Sequence, residues 1–178
     1  GRGILREPLS ALSRARIIVL TKVDPHRNPE ELEERIAAIN PAAALFRARF
    51  MPTGLLHPAT GRILDLETVR GRTAAGLCSI GDPGHFFSML AGLGVSYSRP
   101  LVFPDHYRYS ARDVRLITDR AAGVDYLITT QKDIAKMSAD MLQLPNLLVL
   151  QVSQTIEHHD RFQRLVFECL GLSRHAPA

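Results

Sequence analysis

The sequence predicts an α/β fold, layered α/β/α around a largely parallel sheet. Three observations carry that expectation. Short apolar runs rich in β-branched residues recur along the chain, as in ARIIVLT at Ala15 to Thr21. Stretches with the helical period separate them, as at Ser110 to Ala122. Polar motifs follow the strand candidates, and α/β sheets gather their ligands at those carboxyl ends.

The elements follow in order. After the Ala15 to Thr21 strand comes a helix with Asn28 as cap, Pro29 in the first position and Glu30, Glu31, Glu33 and Glu34 near its positive end. Leu32, Ile36 and Ile39 give it an apolar face, and Asn40-Pro41 stops it. Ala44 to Phe50 alternates as a strand. Residues 51–72 are interrupted by proline and glycine and read as a connector around a short helix near Leu64 to Val69. Arg72 to Ile80 is a buried strand, His85 to Leu93 an amphipathic helix, and Val95 to Val102 a further strand. Ser110 caps the next helix, with Asp113 placed as in a capping box. Val124 to Thr129 is a strand, Lys132 to Leu142 a short helix, Asn146 to Val152 a strand and His159 to Leu170 the last helix.

With 178 residues the chain can bury a sizeable core, and its 46% apolar and 22% charged residues are ordinary for a globular protein. The net charge of +4 suits a phosphate-bearing ligand or an anionic membrane surface. The arginines are scattered without interleaved aromatics, which argues against nucleic acid as a partner. Cys78 and Cys169 sit among apolar residues and are expected as buried thiols in a reducing compartment. No run reaches the roughly 20 apolar residues of a membrane-spanning helix. The chain opens GRGILREPLS, without Met or the apolar stretch of a signal peptide, and is expected to be a fragment.

Four polar motifs follow strands. Thr21-Lys22-Val23-Asp24 resembles the base-recognition motif of P-loop GTPases, which nominates Lys22 and Asp24 for nucleotide binding. A solvated loop fits the same residues, and no G-x-x-x-x-G-K-[ST] accompanies them. Gly81 and Asp82 lie in a strand-to-helix turn whose helix start can offer N–H groups to an anion; a plain turn fits as well, with His85 solvated in the first helical turn. Asp105-His106, in FPDHYRYS, is the best reactive candidate, because an imidazole can move a proton from a sugar hydroxyl, although a merely polar turn fits the same residues. Lys132-Asp133 can bind phosphate or cap a helix. His158-His159 lacks further ligands at metal spacing, and no metal site is expected in this chain. Met137 and Met141 are expected in the core.

Taken together these pieces resemble tetraacyldisaccharide 4'-kinase, the lipid A kinase family of Gram-negative envelopes. LREPLSAL (Leu5 to Leu12) is similar to the family's GPLREPL, and GLCSIGDPGHFF to its GIGNPERFF. FPDHYRYSARDV is similar to FPDHHxY…DL, and LITTQKDIAKM to TEKDAVK. Departures are mild: Asp82 stands for Asn, Gly84-His85 for a charged pair, Tyr107 for a second His and Gln131 for Glu.

The resemblance implies a kinase transferring the ATP γ-phosphate, with Mg²⁺, to the 4'-hydroxyl of a tetraacyl disaccharide 1-phosphate, the lipid A precursor. It implies His106 and Asp105 as catalytic residues, with the partner of His106 an aspartate of the P-loop half. Arg6 and Glu7 follow as substrate contacts, whereas Lys132 and Asp133 receive no chemical role. It also implies an organisation: residues 1–50 end the P-loop domain, 51–72 connect, and 73–178 form the carboxy-terminal α/β domain. The P-loop half, which would hold most of the ATP and Mg²⁺, is expected as a partner in cis or in trans. The expected location is the cytoplasm, peripheral to the inner membrane. Two rival readings remain at this level: a non-catalytic lipid-sugar binding module, and the carboxy-terminal half of a metal-chaperone GTPase.

Overall fold

The structure is a computed structural model that describes residues 7–21, 29–97 and 100–172. In chain order its elements are β1 (Ile17–Thr21), α1 (Pro29–Ile39), β2 (Ala44–His57), β3 (Arg62–Leu64), β4 (Thr73–Cys78), α2 (Pro83–Gly92) and β5 (Ser96–Tyr97). They continue with β6 (Leu101–Val102), α3 (Ala111–Ala122), β7 (Tyr126–Thr130), α4 (Gln131–Ile134), α5 (Ala139–Leu142), β8 (Leu147–Ile156) and α6 (His159–Cys169). Short 3-10 turns occupy Leu9–Arg14 and Leu66–Val69. The fold is α/β with a mostly parallel sheet, as the alternating pattern requires.

The chain divides into two compact units. One holds the residues up to Phe50 and those from Gln154 onward; the other holds Met51–Ser153. In the first, β1 runs parallel to the start of β2, from Ile17 opposite Ala44 to Thr21 opposite Ala48. Glu30 and Glu31 lie in the first turn of α1, where negative charge suits the helix dipole. The helix ends at Asn40, whose side-chain amide donates to the carbonyls of Leu12, Ser13 and Ala15 at 2.9, 3.2 and 2.8 Å. Ile36 is buried, whereas Leu32 and Ile39, expected on the same apolar face, are exposed. Arg47 on β2 pairs with Glu33 of α1, and Phe46 meets Phe162 of α6 edge to face at 5.3 Å.

In the second unit β4 is central. It pairs in parallel with β7, and along its other edge with β5 near its start and β6 near its end. β7 in turn pairs in parallel with β8. Successive residues of β4 face opposite ways: Ala74 and Cys78 pack with Phe86, Leu90, Ile128 and Leu148, whereas Ala75 and Leu77 pack with Ile117, Leu127, Met137 and Met141. Burial on both faces explains why these strands read as continuous apolar runs. Gly76 is required by close approach, since a Cβ there would run into the ring of Phe87 on α2.

Several boundaries depart from expectation. Residues 51–72 are not a connector but the second half of β2, a hairpin to β3 and a 3-10 turn, and they belong to the second unit. Gly61, at φ +70°, lets the hairpin turn close with its N–H on the His57 carbonyl. Residues from Gln154 group with the first unit rather than with 73–153. The Val95 to Val102 strand is two short pieces, β5 and β6. The helix over Lys132 to Leu142 is also two, because Ser138 caps a new start by accepting from the Met141 N–H. Cys78 is buried as expected, but Cys169 is exposed. Among the described residues no helix is long and apolar enough to cross a membrane.

Candidate functional site

The carboxyl ends of β4, β6 and β7 bring three of the four polar motifs into the second unit. β6 ends at Val102, and the amide of Phe103 donates to the Cys78 carbonyl at 2.9 Å, which anchors the next segment to the end of β4. Pro104 to Tyr107 is then a tight turn, closed by the Tyr107 N–H on the Pro104 carbonyl at 3.2 Å. His106 takes φ +59°, a left-handed conformation uncommon for a non-glycine residue, and its side chain is 91% exposed. Its Nε2 lies 3.8 Å from Oδ2 of the half-exposed Asp105, and its backbone N–H donates to Oδ1 of Asp105 at 3.0 Å. Such backbone strain costs about 1–3 kcal/mol and clusters at functional sites.

The aromatic residues around this pair explain the spelling of FPDHYRYS. Phe103 stacks on Tyr107 at 5.0 Å and meets Tyr109 edge to face at 5.2 Å. Tyr107 and Tyr109 alternate inward while Arg108 between them points to solvent. The Tyr107 hydroxyl donates to Asp113 at 3.1 Å, and that carboxylate also accepts from the hydroxyl and N–H of Ser110 at 2.6 and 2.8 Å. The bonds from Ser110 hold the Asp113 carboxyl below the usual range, while the bond to Asp113 raises the Tyr107 phenol. The expected capping box is therefore present, and it also braces the turn that carries His106.

The loop after β4 lies beside this turn. A Cβ on Gly81 would come within 3.5 Å of Oδ2 of Asp105. Asp82 caps α2 by accepting from the His85 N–H at 3.3 Å, so the helix start expected to receive an anion already faces a carboxylate. His85 is half-buried rather than solvated.

Below the loop is a buried polar knot that motif reasoning did not foresee. Asp133 is fully buried and accepts from the hydroxyl of Ser79 at 2.5 Å, from its N–H at 3.1 Å and from the hydroxyl of Thr130 at 2.7 Å. The ammonium of Lys136 donates to Asp133 at 3.2 Å and to the carbonyl and hydroxyl of Ser79 at 2.9 and 2.8 Å. The Tyr109 hydroxyl is buried beside Ser79 without a well-formed hydrogen bond, and burial pushes it up to about 12. Burial, helped by the Asp133 charge, likewise pushes the Cys78 thiol up to about 11. Lys132, by contrast, is exposed. The signal available in sequence was the spacing of Thr130, Asp133 and Lys136 at i, i+3 and i+6; the partner Ser79, 54 residues from Asp133, was out of reach.

Glu7 lies in the first unit and pairs with Arg14 at 2.6 Å on the surface. Arg6, Lys22 and Asp24 lie outside the described residues, as does Asn28. Among the described residues no cluster of three or more His, Cys, Asp or Glu could hold a metal ion. The Asp82 carboxylate at the start of α2 makes that helix end unsuited to the phosphates of ATP.

Comparison with known proteins fits this arrangement. The family profile described as tetraacyldisaccharide-1-P 4'-kinase (LpxK) matches residues 2–170. A tetraacyldisaccharide 4'-kinase of Syntrophobacter fumaroxidans is 34% identical over 137 residues, covering 76% of this chain and 36% of that protein. One from Syntrophus aciditrophicus is 30% identical over 180 residues, covering 95% and 48% respectively. The chain thus spans less than half the length of these relatives. The crystal structure of LpxK from Aquifex aeolicus in complex with ATP matches with a TM-score of 0.54 at 22% identity, over 92% of this chain and 45% of that one, which supports the shared fold. On its sequence and its fold, the chain belongs to the tetraacyldisaccharide 4'-kinase family.

Proposed function

We propose that this chain is the carboxy-terminal part of a kinase that transfers the ATP γ-phosphate to the 4'-hydroxyl of a tetraacyl disaccharide 1-phosphate. The observation that carries this reading is His106, exposed on a strained turn at the carboxyl edge of a parallel sheet, within a segment similar to the family's FPDHHxY motif. In this reading His106 helps to move the proton released by the acceptor hydroxyl, and Asp105 biases the charge of the imidazole. Glu7 and Arg6 contact the substrate. ATP and Mg²⁺ are held by a P-loop half, in cis or in trans, because this sequence contains no G-x-x-x-x-G-K-[ST]. Lys22 and Asp24 are retained as lesser candidates for contact with the nucleotide.

The lipid substrate places the protein at the cytoplasmic face of the inner membrane, as a peripheral protein.

The test is an assay with radiolabelled ATP and lipid A precursor. The isolated chain gives no product, and turnover by it alone would sink the account of an incomplete kinase. In a polypeptide that also carries the P-loop half, His106→Ala lowers kcat by roughly 10²–10⁴-fold. An unchanged rate would take His106 out of the catalytic machinery and leave it a structural residue of the turn.

A further inference from the structure

The family motif TQKD…K at Thr130 to Lys136 has no role in the chemistry above, yet it holds the one fully buried carboxylate among the described residues. Asp133 and Lys136 grip Ser79 from two sides: the carboxylate takes its N–H and hydroxyl, and the ammonium takes its carbonyl and hydroxyl. With three acceptors, the Lys136 ammonium has its donors committed to this grip, whereas Lys132 is left exposed to solvent.

Three contacts lead from Ser79 to the turn that carries His106. Cys78, the preceding residue, accepts the Phe103 N–H. Gly81, two residues on, lies beside the Asp105 carboxylate, which a Cβ there would meet at 3.5 Å, an ordinary contact distance. Tyr109 has its hydroxyl beside Ser79 and its ring against Phe103 and Tyr107. A shift of Ser79 therefore acts on the turn by backbone, by side chain and by ring packing at once.

We propose that Asp133 and Lys136 are positioning residues: through Ser79 they fix the end of β4, and thereby the strained turn that presents the imidazole of His106. The catalytic consequence rests on the kinase reading above; the positioning itself does not. Loss of the clamp lets the turn relax toward an ordinary conformation in which the imidazole is misplaced, and misplacement of about 1 Å costs on the order of 100-fold in rate.

The experiment is NMR on this chain, with the backbone amides of Phe103, Asp105, His106 and Tyr107 and the ring of His106 as reporters. The variants are Lys136→Met, Asp133→Asn and Ser79→Ala, with Asp125→Asn as control because it ties β4 to β7 at the opposite end. The clamp variants shift the His106 ring resonances and speed exchange of the Phe103 amide by roughly tenfold or more through local opening, and the control leaves both unchanged. Should Asp133→Asn fail to fold, Lys136→Met and Ser79→Ala decide the matter. Unchanged His106 and Phe103 signals in a folded clamp variant, or equal changes in the control, would overturn the proposal.

A second readout applies where the P-loop half is present: Lys136→Met lowers kcat about 10–100-fold and leaves KM for the lipid unchanged. Equal loss in both constants would also overturn it. A wild-type protein without lipid kinase turnover would instead remove the function reading, and the NMR result would still decide the clamp.

Discussion

The two ends of the β4–β7 strand pair use the same chemical device in opposite surroundings. At the amino end the carboxylate of Asp125 accepts from the N–H and hydroxyl of Thr73, both at 2.8 Å. At the carboxyl end Asp133 accepts from the N–H and hydroxyl of Ser79. Asp125 and Thr73 are exposed, and water can replace what they lose. Asp133 and Ser79 are fully buried, so their charge needs a local cation, and Lys136 supplies it. The same bridging carboxylate should therefore matter little at the wet end and much at the dry one. The fold places its dry version under the edge where the candidate catalytic histidine sits.

The sharpest way to break that contrast is to truncate both. Asp133→Ala should cost about 3–5 kcal/mol, because it strands the Lys136 ammonium and the Ser79 donors in a dry site. Asp125→Ala should cost visibly less in the same urea titration. Equal losses would erase the distinction between the two ends.

Alkali tests the dryness next. Cys78 adjoins the buried end, and its thiol is held up to about 11 against an ordinary 9.0. The unfolded chain releases that proton first, so the associated stability is full below pH 9 and falls as the pH rises toward 11. Thiol labelling near neutrality should accordingly modify exposed Cys169 while sparing Cys78 until unfolding. Rapid labelling of Cys78 in the native protein would show that the buried end is wet.

Strain gives a smaller effect. His106→Gly should stabilise the chain by roughly 0.5–1 kcal/mol by relieving the left-handed backbone, measured as a higher unfolding midpoint, while removing the imidazole from the turn. Smallest of all, Tyr109→Phe should change stability by no more than about 0.5 kcal/mol, since the hydroxyl it deletes makes no well-formed bond.

Local features were legible in the sequence. The start of α1 at Pro29, the Ser110–Asp113 cap and the strand–turn–helix around Gly81 depend on neighbours within a few residues, and each is found where it was read. The β2–β3 hairpin was not legible, because Pro52 and Gly54 read as breakers. Gly54 is needed there, as a Cβ would come within 2.8 Å of the Ile63 side chain on β3. Cys169 misled for a related reason: an apolar setting in sequence does not say which face of α6 is covered. Of the site, His106 stood out by chemical type alone. The role of Asp133 did not, because its meaning lies in Ser79, 54 residues away just past the end of β4.

The parallel connections also set a timetable for synthesis. Ser79 leaves the ribosome 54 residues before the carboxylate that will bind it, an interval of roughly 3–10 s at about 5–20 residues per second. During that time β4, destined for the middle of the sheet, has only the short β5 and β6 to pair with and shows its apolar faces to the cell. A nascent chain stalled between Val102 and Asp133 should therefore be a good client for chaperones that recognise unpaired strands. Release should follow the arrival of the second half of the clamp rather than of any single helix.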